Sequence, residues 1–213
     1  MTDNSIPLGR VLRSSTPAFT VGCQPLSLER QRFMPRFGTL VRASVGERET
    51  IYGLIYNVTI EDDAFVRQLV AAGVESAEII EDQRQKRQVP VVVDVLVVGY
   101  GRGEAIFHRL PAQPPPTLAP IYACNPAELI RFTAEHVWLR MVLDARDVPA
   151  DQLVVAAVEA AAQARPPEHQ KPYLVEVGRE LARMLSQDLV RLESILKQLK
   201  PRAMERLHGS QTE

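Results

Sequence analysis

A valine-rich segment that runs into glycines, Val95 to Glu104 (VLVVGYGRGE), has the composition of a dinucleotide-binding turn. In such a turn the glycines let the backbone approach a pyrophosphate, which the N-terminus of the next helix binds. Here Glu104 stands where the third glycine would be, and its carboxylate would repel phosphate. The residues beyond lead to His108 and a proline-rich stretch instead of a helix. The segment therefore predicts a β-hairpin that turns at Gly101-Arg102-Gly103.

Other residue types that carry catalysis or bind metals lack the spacing that those functions need. The sequence contains no G-x-x-x-x-G-K-[ST] motif and no G-x-S-x-G motif. Its histidines stand in separate segments, none four residues from another histidine or a cysteine: His108, His136, His169 and His208. The adjacent Asp62 and Asp63 are typical of a helix start. We predict no catalytic residue, no cofactor and no metal site; an enzyme with an unrecognised pocket is the alternative.

The two cysteines, Cys23 and Cys124, lie far apart in the sequence and have no CxxC or Cys/His spacing. This pattern predicts two buried or half-buried thiols in a reducing compartment. A disulfide or a redox pair is the alternative.

One compact basic cluster, Arg84, Lys86 and Arg87, lies in a wholly polar segment. Arg30, Arg32 and Arg36 would add to it if the loops converge. Such clusters are typical of solvated loops, and no aromatic side chain alternates with these residues to stack on bases. Contact with nucleic acid through Arg84, Lys86 and Arg87 is the alternative interpretation.

The composition is that of an ordinary globular protein. The chain has 213 residues, of which 46% are hydrophobic and 24% charged, and its net charge is -1. This length allows one large domain or two small ones, and the net charge favours neither nucleic acid nor an anionic membrane. The first residues do not form a signal peptide, and no stretch reaches the ~18 apolar residues of a membrane helix. We therefore expect a cytoplasmic protein that makes no contact with membranes.

The N-terminal part shows the period-two alternation of β-strands. The strongest strand, Glu49 to Thr59, contains Gly53, which inside a strand indicates a bulge or a barrel corner. The almost continuous valines of a second strand, Val89 to Tyr100, predict burial on both faces. Shorter strands are predicted at Ile6–Arg13, Ala18–Gly22, Phe37–Ala43 and Ala105–His108, and a short helix at Ala64–Ala72. We predict a small antiparallel β-barrel at residues 1–115.

The segment Leu110 to Pro120 carries five prolines and can form neither helix nor ladder, so it predicts a domain boundary. Beyond it the hydrophobic period becomes about 3.6. Asn125, Pro126 and Glu128 form a helix-start signal, and an alanine-rich helix is expected from Asp147 to Ala164. The fold class is therefore α+β, with the barrel followed by an α-helical domain at residues 120–213.

The last predicted helix, Pro172 to Lys200, carries leucines at steps of four and three. They include Leu181, Leu185, Leu189, Leu192, Leu196 and Leu199. This seam is shorter than the three to four heptads that argue for a coiled coil. Packing inside the domain is favoured, and homo-oligomer contact through Leu185, Leu189, Leu192 and Leu196 is the alternative.

Several strand sequences resemble a known domain. They are Ile6-Pro7-Leu8-Gly9-Arg10-Val11, Phe19-Thr20-Val21, Phe37-Gly38-Thr39-Leu40-Val41 and Ile51-Tyr52-Gly53-Leu54-Ile55-Tyr56-Asn57-Val58. Together they resemble the HAS barrel, the small β-barrel shared by HerA-type DNA-translocating ATPases and the N-terminal region of ATP synthase subunits. The resemblance covers about the first 110 residues, and helices follow where those ATPases have a nucleotide-binding motor.

The resemblance implies a non-catalytic adaptor or assembly module that docks a protein partner, with a separate HerA-like ATPase as the implied partner. An oligonucleotide-binding barrel that uses the basic loop is the alternative function. No motor activity is expected from this chain.

Overall fold

The computed structural model describes residues 7–23, 34–46, 49–60 and 91–199. These residues form seven strands followed by five helices. The strands are β1 (Gly9–Ser14), β2 (Ala18–Cys23), β3 (Leu40–Val45), β4 (Glu49–Ile60), β5 (Val91–Arg102), β6 (Ala105–Phe107) and β7 (Pro120–Ala123). The helices are α1 (Pro126–Phe132), α2 (Trp138–Leu143), α3 (Ala150–Gln163), α4 (Pro167–Met184) and α5 (Leu189–Gln198). The predicted helix at Ala64–Ala72 lies outside the described residues.

The strands close into a six-stranded antiparallel barrel. Their order is β2-β1-β7-β3-β4-β5, and β5 pairs back with β2 from Ala18↔Leu96 to Cys23↔Val91. Strand β6 extends the sheet as a hairpin on β5. The predicted α+β class, with a barrel followed by helices, is confirmed.

Aliphatic side chains fill the interior of the barrel. The fully or almost fully buried members include Val11, Val21, Val41, Ile51, Ile55, Val95, Val97 and Ile121. A small barrel filled in this way is a packed core. The outer surface of the barrel is therefore the part that can meet a ligand or a partner.

Gly53 marks a bend in β4, as its position in the sequence indicated. The register of β4 against β5 shifts between Tyr52 and Gly53, and again between Ile55 and Asn57. A Cβ on Gly53 would overlap Cγ1 of Val95 and lie 2.9 Å from the carbonyl oxygen of Leu96. Only glycine permits this close approach, which lets the sheet curl toward closure.

Strand β5 confirms the predicted burial on both faces and the predicted hairpin, but Gly101 and Arg102 belong to the strand and the turn is formed by Gly103 and Glu104. Its residues are buried on both faces from Val95 to Gly101. It then forms a hairpin in which Arg102 pairs with Ala105, and Gly103 adopts a φ of 58°. The glycines therefore serve a hairpin turn, with a strand where a phosphate-binding site would need a helix.

The barrel continues past the proline-rich segment at which the sequence placed the boundary. Strand β7, which was not predicted, lies between β1 and β3 and completes the barrel wall. Pro120 is its first residue, a position where a strand tolerates proline. The chain divides into two compact units between Asn125 and Pro126, so the barrel unit extends to Asn125.

The first three helices follow the sequence signals. Helix α1 begins at Pro126, the predicted first helical position, and α3 covers most of the alanine-rich segment. The apolar run between them forms the short helix α2, which buries Trp138 and Leu139. No helix in the described part of the chain is both long and apolar enough to cross a membrane.

The prediction of a single long C-terminal helix from Pro172 to Lys200 is wrong, because two helices cover this segment. Helix α4 starts five residues earlier, at Pro167, and contains Pro172. The chain then leaves the helical path at Leu185, and Asp188 caps a new helix by accepting a 3.1 Å hydrogen bond from the Arg191 amide. This capping interaction begins the new helix α5, so the leucine repeat does not continue along one helix.

Candidate functional site

Most of the basic residues singled out in the sequence lie outside the described residues. These are Arg30, Arg32, Arg84, Lys86 and Arg87. Arg36 is described and its side chain is exposed. The nucleic-acid interpretation of this cluster therefore stays a prediction.

The four leucines proposed as an oligomer contact have different surroundings. Leu185 is buried, whereas Leu189 is 67% exposed. Leu192 and Leu196 are half-buried, and Leu196 reaches toward Gly178 of α4. Because α5 starts anew after Leu185, these side chains do not share one continuous helical seam.

Neither cysteine forms a disulfide, and Cys23 is buried and Cys124 half-buried, as the sequence predicted. Burial raises the pKa of Cys23 from 9.0 to about 11, so its neutral thiol form is favoured. Among the described residues no three His, Cys, Asp or Glu side chains cluster as metal ligands would.

A surface hollow of about 930 Å³ lies at one end of the barrel beside Glu49 and Arg102. Arg102 Nε donates a 2.8 Å hydrogen bond to Glu49 Oε2, which raises the pKa of the guanidinium. Nearby, Arg109 donates hydrogen bonds of 3.1 and 3.2 Å to the Tyr100 hydroxyl, and the Tyr100 ring stacks on Phe107 at 5.0 Å. These groups bind one another, so the cluster is best understood as bracing of the β5–β6 hairpin.

A different surface forms where β1 meets the segment before β7. The side chains of Leu12 and Leu118 are 52% and 63% exposed there. The Leu118 amide donates a 2.8 Å hydrogen bond to the Val11 carbonyl. Arg10 Nη1 in turn donates a 2.9 Å hydrogen bond to the Leu118 carbonyl. Leu118 is thus held against β1 and Arg10, and Leu12 is exposed two residues further along the same strand.

Leu118 has an unusual backbone conformation, with a φ of 66°. The left-handed region costs an ordinary L-residue about 1–2 kcal/mol, and a bulky side chain there is a true outlier. The hydrogen bonds on both sides of the residue hold it in place. Such outliers concentrate at functional sites, where the surrounding structure maintains them.

Arg13 lies next to Leu12 and starts a chain of hydrogen bonds across the barrel wall. Its Nε donates to Thr20 Oγ1 at 3.0 Å, and the Thr20 hydroxyl donates to Asp94 Oδ1 at 2.7 Å. Asn57 Nδ2 donates to Asp94 Oδ2 at 3.0 Å. Each Asp94 oxygen thus accepts one of these hydrogen bonds, and Arg13 is held to Thr20 through Nε.

The terminal nitrogens of Arg13 have no hydrogen-bond partner among the described residues. Arg13 lines a hollow of about 280 Å³ together with Ser14, Ser15, Tyr56 and Asp94, among others. We call the set Arg10, Leu12, Arg13 and Leu118 the β1 patch. It combines exposed apolar side chains with a guanidinium that can still bind an anion.

Sequence patterns did not reveal the β1 patch. Residues with a positive φ are usually glycine or asparagine, and position 118 is a leucine. The residue type therefore gave no sign of the left-handed conformation. Leu12 and Arg13 were part of a predicted strand, but a register shift between Val11 and Arg13 changes how that strand presents its side chains. Neither feature follows from alternation alone.

Comparison with models of known protein families finds no match to this sequence. A comparison with curated proteins also finds no match.

Proposed function

We propose that this chain is a non-catalytic adaptor or assembly module whose β-barrel docks a protein partner through its outer surface. The HAS-barrel resemblance suggests a separate HerA-like ATPase as that partner and the cytoplasm as its location. The filled interior supports a role for the outside of the barrel, because packed aliphatic side chains leave the wall and its loops to make contacts.

The observation that carries the proposal is the exposure of Leu118 in a costly backbone conformation. Single exposed leucines are ordinary on protein surfaces. Strained backbone conformations concentrate at functional sites, and arginine is enriched at binding hot spots; Leu118 combines a left-handed conformation with a direct contact from Arg10. The proposed adaptor function can therefore be tested by substitutions at Leu118 and its neighbours.

The alternative, an oligonucleotide-binding barrel, depends on Arg84, Lys86 and Arg87. These residues lie outside the described part of the chain. Single-stranded DNA therefore serves as the competing ligand in the test.

The test mixes the full-length protein with a purified HerA-like ATPase and measures complex mass by light scattering after size-exclusion chromatography. We expect a complex with defined stoichiometry that added oligo-dT does not dissociate. The adaptor proposal fails if no complex forms and the protein instead binds oligo-dT with an affinity that falls steeply with salt. The double variant Arg84→Ala, Arg87→Ala is the matched control, because it should reduce only binding to DNA.

A further inference from the structure

We propose that the β1 patch recognises a partner segment in which an apolar side chain is flanked by Asp or Glu. This inference rests on the proposed adaptor function and deepens it, because it specifies where the barrel binds and what the partner must present.

The apolar half of the site is formed by Leu12 and Leu118. The hydrogen bond from Leu118 to Val11 places this residue alongside β1, and the Leu12 side chain lies over Gly22 on the outer face of the sheet. A partner side chain such as Leu, Ile or Phe that packs on Leu118 would lose its water contacts, because Leu118 is itself 63% exposed. Burial of that kind supplies the main favourable free energy of docking.

The charged half of the site is formed by Arg13 and Arg10. Arg13 is fixed through Nε, so its two terminal nitrogens remain available in the planar arrangement that binds a carboxylate with two parallel hydrogen bonds. Among the described residues no hydrogen bond joins them to Asp94, although this carboxylate lines the same hollow as Arg13. Arg10 is held at the Leu118 carbonyl and adds positive charge on the other side of the leucines.

This combination favours an acidic protein segment over single-stranded nucleic acid. Proteins that bind single strands use aromatic rings on which bases stack, and the apolar part of the β1 patch consists of leucines. The charge of the site is complementary to carboxylates, and its apolar part is complementary to aliphatic or aromatic side chains.

The test is a selection of random peptides of roughly ten residues, displayed on phage, against immobilised full-length protein. Counter-selection uses the double variant Arg13→Ala, Leu118→Asn. We expect enriched peptides to place Leu, Ile or Phe within two residues of Asp or Glu. Binding of synthetic copies is then measured by fluorescence anisotropy at low and at physiological ionic strength.

For these peptides, Leu118→Asn should weaken binding about tenfold, and Arg13→Ala should weaken it about fivefold and reduce its salt dependence. The matched controls Leu110→Asn and Arg146→Ala should leave affinity unchanged, because both side chains are exposed but lie outside the β1 patch. Circular dichroism confirms that each variant is folded.

Several results would overturn the inference. One is a selection in which no enriched peptide binds the wild-type protein more tightly than the double variant. Another is competition by oligo-dT for the same residues, which would make the patch a nucleic-acid surface. A third is self-association that Leu118→Asn abolishes, which would make a second copy the occupant. If the ATPase complex forms while both patch variants bind it normally, the adaptor proposal stands and this inference alone fails.

Discussion

The Leu118 amide donates a 2.8 Å hydrogen bond to the carbonyl of Val11, and Leu118 holds this position with a φ of 66° and a side chain that is 63% exposed. The bond secures the proline-rich segment to β1 just before β7 enters the barrel wall. The same contact therefore holds the segment before β7 against β1 and presents a leucine to solvent. Leu118 therefore contributes to the fold through its backbone and, in the proposed function, to docking through its side chain.

Gly53→Ala should destabilise the barrel by about 2 kcal/mol, because the new methyl would overlap Val95 and approach the Leu96 carbonyl to 2.9 Å. Urea unfolding monitored by circular dichroism measures the change. Gly22→Ala is the matched control in a neighbouring strand, since only the end of the exposed Leu12 side chain would need to move. Equal effects of the two substitutions would show that Gly53 is not a required close approach.

Arg165→Lys should lower the free energy of unfolding of the helical domain by about 1–2 kcal/mol. The guanidinium lies 3.6 Å from the centre of the Tyr173 ring and donates a 3.0 Å hydrogen bond to Thr133 Oγ1. Lysine lacks the planar group that makes both contacts. Arg140→Lys is the control, because its ion pair with Asp144 is exposed. A thermal unfolding midpoint unaffected by Arg165→Lys would contradict the role of this contact.

Cys23 should resist alkylation in the native protein, whereas half-buried Cys124 should react first. The raised pKa also predicts a pH effect. Between the ordinary value of 9.0 and about 11, the unfolded thiol loses its proton while the folded thiol keeps it. Stability from this group is therefore complete below pH 9 and is lost as pH rises through that window.

The measurement is iodoacetamide labelling at pH 8, followed by mass spectrometry, with Cys124→Ser as the control. The alkaline loss of stability is measured against Cys23→Ala, which should lose less than wild type over the same pH range. Rapid labelling of Cys23 under native conditions would mean that the thiol is accessible.

Leu185→Glu should unfold the helical domain, because Leu185 is only 7% exposed. Leu189→Glu should leave the fold and the sedimentation coefficient unchanged, because Leu189 is 67% exposed and lies after the break between α4 and α5. Sedimentation velocity and circular dichroism measure both effects. Loss of an oligomer in folded Leu189→Glu would instead support the leucine seam as a contact between copies.

The sequence predicted the parts of the fold that depend on local patterns. Alternation identified β4, and Gly53 indicated its bend, because a strand glycine has few other uses. Strand β7 was missed because Pro120–Ala123 is short and follows prolines. Closure of the barrel pairs Cys23 with Val91, a contact between distant residues that no local pattern encodes.

The C-terminal error has a different cause. Leucines spaced by four and three on both sides of the break outweighed a capping signal that was present at Asp188. The candidate site was missed for a third reason. Its features are a left-handed Leu118 and an Arg13 held by Thr20, and both depend on tertiary hydrogen bonds.

The most direct test of the account is Leu118→Asn, measured for stability and for binding in the same preparation. Asparagine tolerates the left-handed conformation better than leucine, so the thermal unfolding midpoint should equal or exceed that of wild type. The affinity for the HerA-like ATPase should fall about tenfold, whereas Leu110→Asn should bind like wild type. A lower unfolding midpoint with unchanged affinity would contradict the account, since Leu118 would then serve only the fold.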